Sequence, residues 1–126
     1  MPCQYVIKKE QQLVISQGWD RVTCAEILDH RRQIAKDSDF SPDFNQLVDG
    51  TAVTAIDISM VEAKTVAAQT IFSPKSRRAF VAKSPVILGL ARIMETYSRI
   101  AKGREQVKVF HDRNEALQWL GIDVLK

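Results

Sequence analysis

Arg78-Ala79-Phe80-Val81-Ala82-Lys83-Ser84-Pro85 is the stretch on which the fold turns. Arg78 to Ala82 is short, mostly apolar and reads as a strand. Ser84 then supplies an N-cap, and Pro85 stands at the first helical position, where its missing N–H costs nothing. Val86, Leu90, Ile93, Met94, Tyr97, Ile100 and Ala101 follow at helical spacing, and Gly103 suits the C′ position after Lys102. Gln106-Val107-Lys108-Val109-Phe110 returns to a strand. A strand, a helix and a strand in this order make a βαβ unit, whose strands run parallel.

The same alternation extends both ways. Asp112 caps a last helix through Glu115, with Ala116, Leu117, Trp119 and Leu120 turned inward. Upstream, Ser59 and Glu62 have capping-box spacing and open a helix to about Phe72, with Ala63, Val66, Ala67 and Thr70 as its inner stripe. Ser73-Pro74 breaks it. Gln46-Leu47-Val48-Asp49 reads as an interior strand, and Gly50 to Ile58 as a connection. A further capping box at Thr23 and Glu26 starts a helix with Ile27, Leu28, Ile34 and Ala35 on one face and Arg31 and Arg32 toward water. Asp37 to Phe44 is a loop anchored by Phe40 and Phe44. Tyr5–Lys8 and Leu13–Ser16 are strands joined by Lys9–Gln12 at hairpin length, with Gly18 ending the second. The order is β-β-α-β-α-β-α-β-α. It predicts an α/β fold, mostly parallel, with helices packed on both faces and one antiparallel strand at the start.

The 126 residues suit one domain, here 1–126, and 45% hydrophobic with 26% charged residues is ordinary globular composition. Cys3 and Cys24 form no C-x-x-C, and only His30 and His111 could join them, so no metal or other cofactor is expected. The N-terminus lacks a signal-peptide pattern and no apolar run reaches the roughly 20 residues of a membrane span, which points to the cytoplasm. G-x-G-x-x-G and G-x-x-x-x-G-K are absent.

The net charge of +3 is unevenly laid out. Asp37, Asp39, Asp43, Asp49, Asp57 and Glu62 fall in a segment with no Lys or Arg, giving −6. From Ser73 to Arg104, eight bases face only Glu95, giving +7. Opposed segments of this kind favour a protein partner or a homodimer, and chance solvation of surface charges is the alternative.

Phe44-Asn-Gln-Leu-Val-Asp49, Asp57-Ile58-Ser59, Arg77-Arg-Ala-Phe-Val-Ala82 and Val109-Phe110-His111-Asp112 with Glu115-Ala116-Leu117-x-Trp119-Leu120 carry a resemblance. Over almost its whole length the chain resembles STAS-like domains of the anti-sigma-factor-antagonist type, and within them a bacterial branch called STAS/SEC14-like. In such antagonists an Asp-Ser-Ser-Gly turn follows the central strand, and phosphorylation of its second serine switches partner binding. The resemblance puts Asp57 on the motif's aspartate and Ser59 on the phosphorylated serine. Ile58 and Met60 replace the first serine and the glycine. It thus implies the fold firmly and a regulatory role loosely.

Ligands of open α/β sheets sit beyond the carboxyl ends of the strands. Asp49, Thr51, Thr54 and Asp57, then Lys83 and Ser84, then His111 and Asp112 are expected at that edge. Helix starts at Ser59, Ser84 and Asp112 favour anions there, and Lys83 adds charge. Capping alone also accounts for Ser59. His111-Asp112 looks like a catalytic pair, but loop neighbours seldom face each other, and no catalytic set emerges, so no enzyme is expected. Lys75, Arg77 and Arg78 stand at the opposite edge as a basic partner surface or as solvated bases. Arg92, Arg99 and Lys102 form a basic stripe without a recognition motif, which argues against nucleic acid. The reading is a non-enzymatic protein-interaction or regulatory module. The alternative is a domain for a small anion or lipid, and an apolar pocket beneath the Ser84–Lys102 helix is the feature that would favour it.

Overall fold

The protein is described here by a computed structural model covering residues 2–102 and 106–122. Its elements are β1 (Cys3–Lys8), β2 (Leu13–Thr23), α1 (Cys24–Lys36), β3 (Asn45–Asp57), α2 (Met60–Ala68), β4 (Arg77–Val81), α3 (Pro85–Lys102), β5 (Gln106–Phe110) and α4 (Arg113–Trp119). A 3-10 turn at Lys9–Gln11 sits inside the first hairpin, and Gln12 closes it in the left-handed region at φ 53°. The order and the helix starts follow the sequence reading.

The five strands lie in the order β1-β2-β3-β4-β5. β1 is antiparallel to β2, and every later pair is parallel. Strand order never reverses, so right-handed crossovers put α1, α2 and α3 on one face. Residue alternation separates the two faces. Leu13, Leu47, Ala79 and Val81 pack against Ala116 and Leu120 of α4. Their neighbours in the strands, among them Val48, Phe80 and Val109, face α1 and α3.

Two strands are much longer than their sequence suggests. β2 continues past Gly18 to Thr23, through register shifts at Gln17/Trp19 and Asp20/Arg21. Asp20 takes the left-handed region there at φ 54°. β3 runs through Gly50–Asp57, which the sequence presents as a connection. The two pair all along this extension, whereas β4 pairs β3 only from Gln46 to Asp49. A two-stranded ribbon therefore rises beyond the sheet. Val22 and Val53 on its inner side bury against Ala82 and Ile87, which holds it down.

Smaller corrections concern the helices. α2 stops at Ala68, so Thr70 and Phe72 lie outside it. Phe72 is buried beneath Phe40 with ring centroids 5.4 Å apart, and Phe40 meets Phe44 at 6.4 Å, so the loop is anchored as expected. Ala35 is exposed. Arg31 is half-buried and not simply solvated: it donates to the Val66 and Gln69 carbonyls and ties α1 to the end of α2. Gly103 and the side chains of Ala67, Tyr97, Ile100 and Ala101 lie outside the described residues. Among the described residues, no helix is long and apolar enough to cross a membrane.

Candidate functional site

The residues expected at one edge divide into two places. Register aligns Asp49 with Val81, and Val81 with Phe110, so Lys83, Ser84, His111 and Asp112 follow at the same level as Asp49. Asp57 and Ser59 do not join them. Eight residue steps along extended β3 separate Asp57 from Asp49, up to roughly 26 Å of strand.

At the shared edge Asp49, Ser84 and Asp112 have local structural tasks. Asp49 accepts from the Thr51 amide and hydroxyl at 3.0 and 2.7 Å, and from Arg113 at 2.7 Å. Burial alone would raise its carboxyl; the Thr51 bonds and then Arg113 outweigh burial and hold it below the ordinary range. The Ser84 carbonyl accepts from Leu88 N–H at 2.9 Å, which places Ser84 at the N-cap of α3. The Asp112 carboxylate accepts from the Asn114 amide at 3.3 Å rather than serving His111, which is exposed. Lys83 is exposed. Since strand order never reverses, the sheet has no switch point of the kind that opens a crevice at such an edge.

At the far end, Ser59 Oγ accepts from Glu62 N at 3.1 Å, and Glu62 Oε1 accepts from Ser59 N at 2.9 Å. The reciprocal bonds satisfy two amides of the α2 start. They also hold the Glu62 carboxyl below its ordinary value. Arg21 donates to Asp57 at 2.7 Å.

Three of the six acids of that segment are paired in place. Asp39 lies 3.6 Å from Lys9, Asp49 pairs with Arg113 and Asp57 with Arg21. All three cations come from outside the segment. The basic cluster also divides. Lys75 and Arg77 are exposed, and Arg77 stacks 5.6 Å from the Trp119 ring. Arg78 does not belong to that surface: it is 8% exposed, because alternation along β4 turns it beneath the helices. Its guanidinium lies 5.3 Å from the Phe72 ring.

Arg78 lines a cavity of about 170 Å³ between the sheet and helices α1 and α3. Its walls are mainly apolar: Val48, Phe80, Val107 and Val109 from the strands, Ile27 from α1, Ala91 and Met94 from α3. Val22, Val53 and Ile56 of the ribbon extend the wall. Gly50 also lines it, and there a Cβ would meet Phe80 Cζ at 3.0 Å and the Val81 carbonyl at 3.1 Å. α2 packs chiefly on α1 and α3 rather than on the strands.

One strip of this wall is polar. Gln46 Nε2 donates to Ser16 Oγ at 2.9 Å, and Ser16 Oγ lies 2.9 Å from His30 Nε2. All three are buried. Burial, then the neighbouring Arg31 charge, push the His30 pKa down against the pull of Asp29, so the ring is neutral. With Gln46 donating to it, Ser16 Oγ keeps a proton and a second lone pair to offer Nε2. Tyr5 meets the His30 ring edge-on at 5.6 Å and donates to Asp37 at 2.9 Å. The chain of bonds fixes the side chains of the cavity wall. Register puts Gln46 beside Arg78 on this face.

Sequence reasoning missed Ser16, His30, Gln46 and Arg113. Two signals were present. His30 falls between Ile27 and Ile34 on the apolar stripe of α1, and Ser16 follows Val14 at the strand's period of two.

No known family and no curated protein matches the sequence. In three dimensions the chain is similar to the crystal structure of an uncharacterized DUF3478-family protein with a SpoIIAA-like fold from Shewanella loihica PV-4. The TM-score is 0.64 at 13% identity, over 94% of this chain and 93% of that one. The fold is SpoIIAA-like, of the STAS-like type. The expected architecture therefore stands, and at this identity the likeness speaks for the SpoIIAA-like fold alone.

Proposed function

We propose that this SpoIIAA-like chain is a non-catalytic module that binds a small, largely apolar molecule in the cavity between the sheet and helices α1 and α3. One observation carries the reading: about 170 Å³ of space where a chain of this size would ordinarily fill its core. A void of about 150 Å³ lined by Leu, Ile and Phe binds benzene, so the size is sufficient for a real guest. The feature named from sequence as favouring a ligand domain, a pocket beneath the Ser84–Lys102 helix, is present. The competing argument for a charge-driven partner is weaker, because half of the acidic segment is paired locally.

Native mass spectrometry of the protein from its own host, paired with amide NMR in the presence of benzene and 1-hexanol, tests the proposal. A noncovalent small-molecule adduct, or shifts confined to residues such as Val48, Ala91 and Val109, supports it. Ala91→Leu, which fills the space, must abolish the shifts. A bare chain whose spectrum ignores both probes sinks the idea.

A second reading is favoured by exposed apolar side chains at the start of α2. Met60 and Val61 are 54% and 74% exposed. A protein partner seated there would make the chain an interaction module. Crosslinking from Val61→Cys distinguishes the readings, because it reports on the α2 start and not on the cavity.

A further inference from the structure

We propose that the occupant of the cavity is a small uncharged alcohol or phenol whose hydroxyl donates to Oε1 of the buried Gln46. The inference rests on the ligand-binding reading and adds the chemistry of the ligand's head.

Hydrogen bonding is the first ground. Gln46 is 7% exposed and lines the cavity. Its Nε2 donates to Ser16 Oγ, which in turn pairs with His30 Nε2, so the amide is held in one orientation. Its Oε1 accepts a hydrogen bond from none of the described residues. A buried carbonyl without a donor is costly, and a guest that brings one relieves the cost. A hydroxyl does so, and its lone pairs suit the second amide hydrogen of Gln46. An ether or a ketone would set oxygen against oxygen.

Charge is the second. The charged side chains at the lining are Arg31, Arg78, Asp49 and Glu95, and each is engaged within the protein. Arg31 holds the Val66 and Gln69 carbonyls, Asp49 holds Arg113, and Arg78 lies over the Phe72 ring. The two signs are equal in number, and His30 is neutral. A carboxylate or an ammonium would add a buried charge to a set that already balances. A hydroxyl adds none.

Size and lining set the body. A volume slightly above one that holds benzene suits phenol or a short alcohol and excludes a full-length acyl chain. Val48, Phe80, Val107 and Val109 offer that body apolar contact.

The test is titration calorimetry on the full chain at pH 7.5 with phenol, toluene, anisole and benzoate, which share one ring and differ in the head. A wholly apolar cavity prefers toluene to phenol, because the hydroxyl gives up its water for nothing. Here phenol should bind about tenfold tighter than toluene or anisole, with benzoate weakest. Gln46→Met keeps the length of the side chain, loses the amide and should reverse the order of phenol and toluene. The wild-type order decides the matter even if that variant fails to fold. Toluene or anisole binding as tightly as phenol overturns the hydroxyl and leaves the cavity a ligand site. Benzoate binding tighter than phenol overturns the uncharged head, and a phenol preference that survives in Gln46→Met overturns Gln46 as its acceptor. Failure of all four, together with silence toward benzene, overturns the ligand-binding reading itself.

Discussion

Arg113 Nη1 sits 2.7 Å from Asp49 Oδ2 and bolts the first turn of α4 to the centre of β3. The carboxylate is the better buried partner, its side chain 14% exposed against 44% for the arginine. Asp49→Asn should weaken stability by about 1 kcal/mol, the upper end for a half-exposed pair. The pH dependence follows from the depressed Asp49 pKa. Stability from this group is complete above the ordinary value of 3.8 and is lost as pH falls through the lower folded value. Urea titrations of both proteins between pH 5 and 2.5 should therefore converge toward the acid end. Parallel curves over that range would refute the assignment.

His30 predicts a second acid-sensitive window at higher pH. Its folded pKa lies below the ordinary 6.5, so the unfolded chain takes up a proton before the folded one does. Stability is full above about 6.5 and declines as pH drops toward the folded value. His30→Gln should cost stability at pH 7.5 while flattening the slope between pH 7 and 5. Midpoints of chemical denaturation at those pH values provide the check. An unchanged slope in the variant would move the sensitivity elsewhere.

Ser59 is a cap before it is anything else. Ser59→Ala should cost about 1 kcal/mol, because the Glu62 amide loses its acceptor. Ser59→Asp should retain most of that stability, since aspartate also caps well. A loss with Asp as large as with Ala, in thermal melts, would contradict the capping geometry.

Two glycines make opposite predictions for the same substitution. At Gly50 a Cβ meets Phe80 and the Val81 carbonyl, so Gly50→Ala should destabilise by about 1–3 kcal/mol. At Gly89, inside α3, a Cβ meets nothing within 4 Å. Gly89→Ala should stabilise by about 0.5–1 kcal/mol through helix propensity. Denaturant midpoints that move the same way for both would show the local packing to be wrong.

Helix starts were the most legible part of this chain, because Thr23/Glu26 and Ser59/Glu62 are local patterns with a local cause. Strand ends were less so. Gly50-Thr51-Ala52 looks like a turn taken alone, yet it stays extended because the equally long β2 supplies a parallel partner. That pairing joins residues over 30 positions apart, and no short window reveals it. The same extension explains why Asp49 and Asp57, adjacent in any reading of an edge loop, end up at different places. Arg78 was misplaced for a simpler reason. Alternation along β4 fixes that it opposes Val81, but which side the helices cover depends on the handedness of three crossovers together.

Because α2 leans on its flanking helices instead of on strands, it can loosen without unzipping a single ladder. The Arg31 clasp holds one end of that helix and the Ser59 cap the other. Amide exchange should record this as two tempos: slow protons across β2, β3 and β4, and a faster set between residues 60 and 68. So small a chain can fray along one helix and keep its sheet whole.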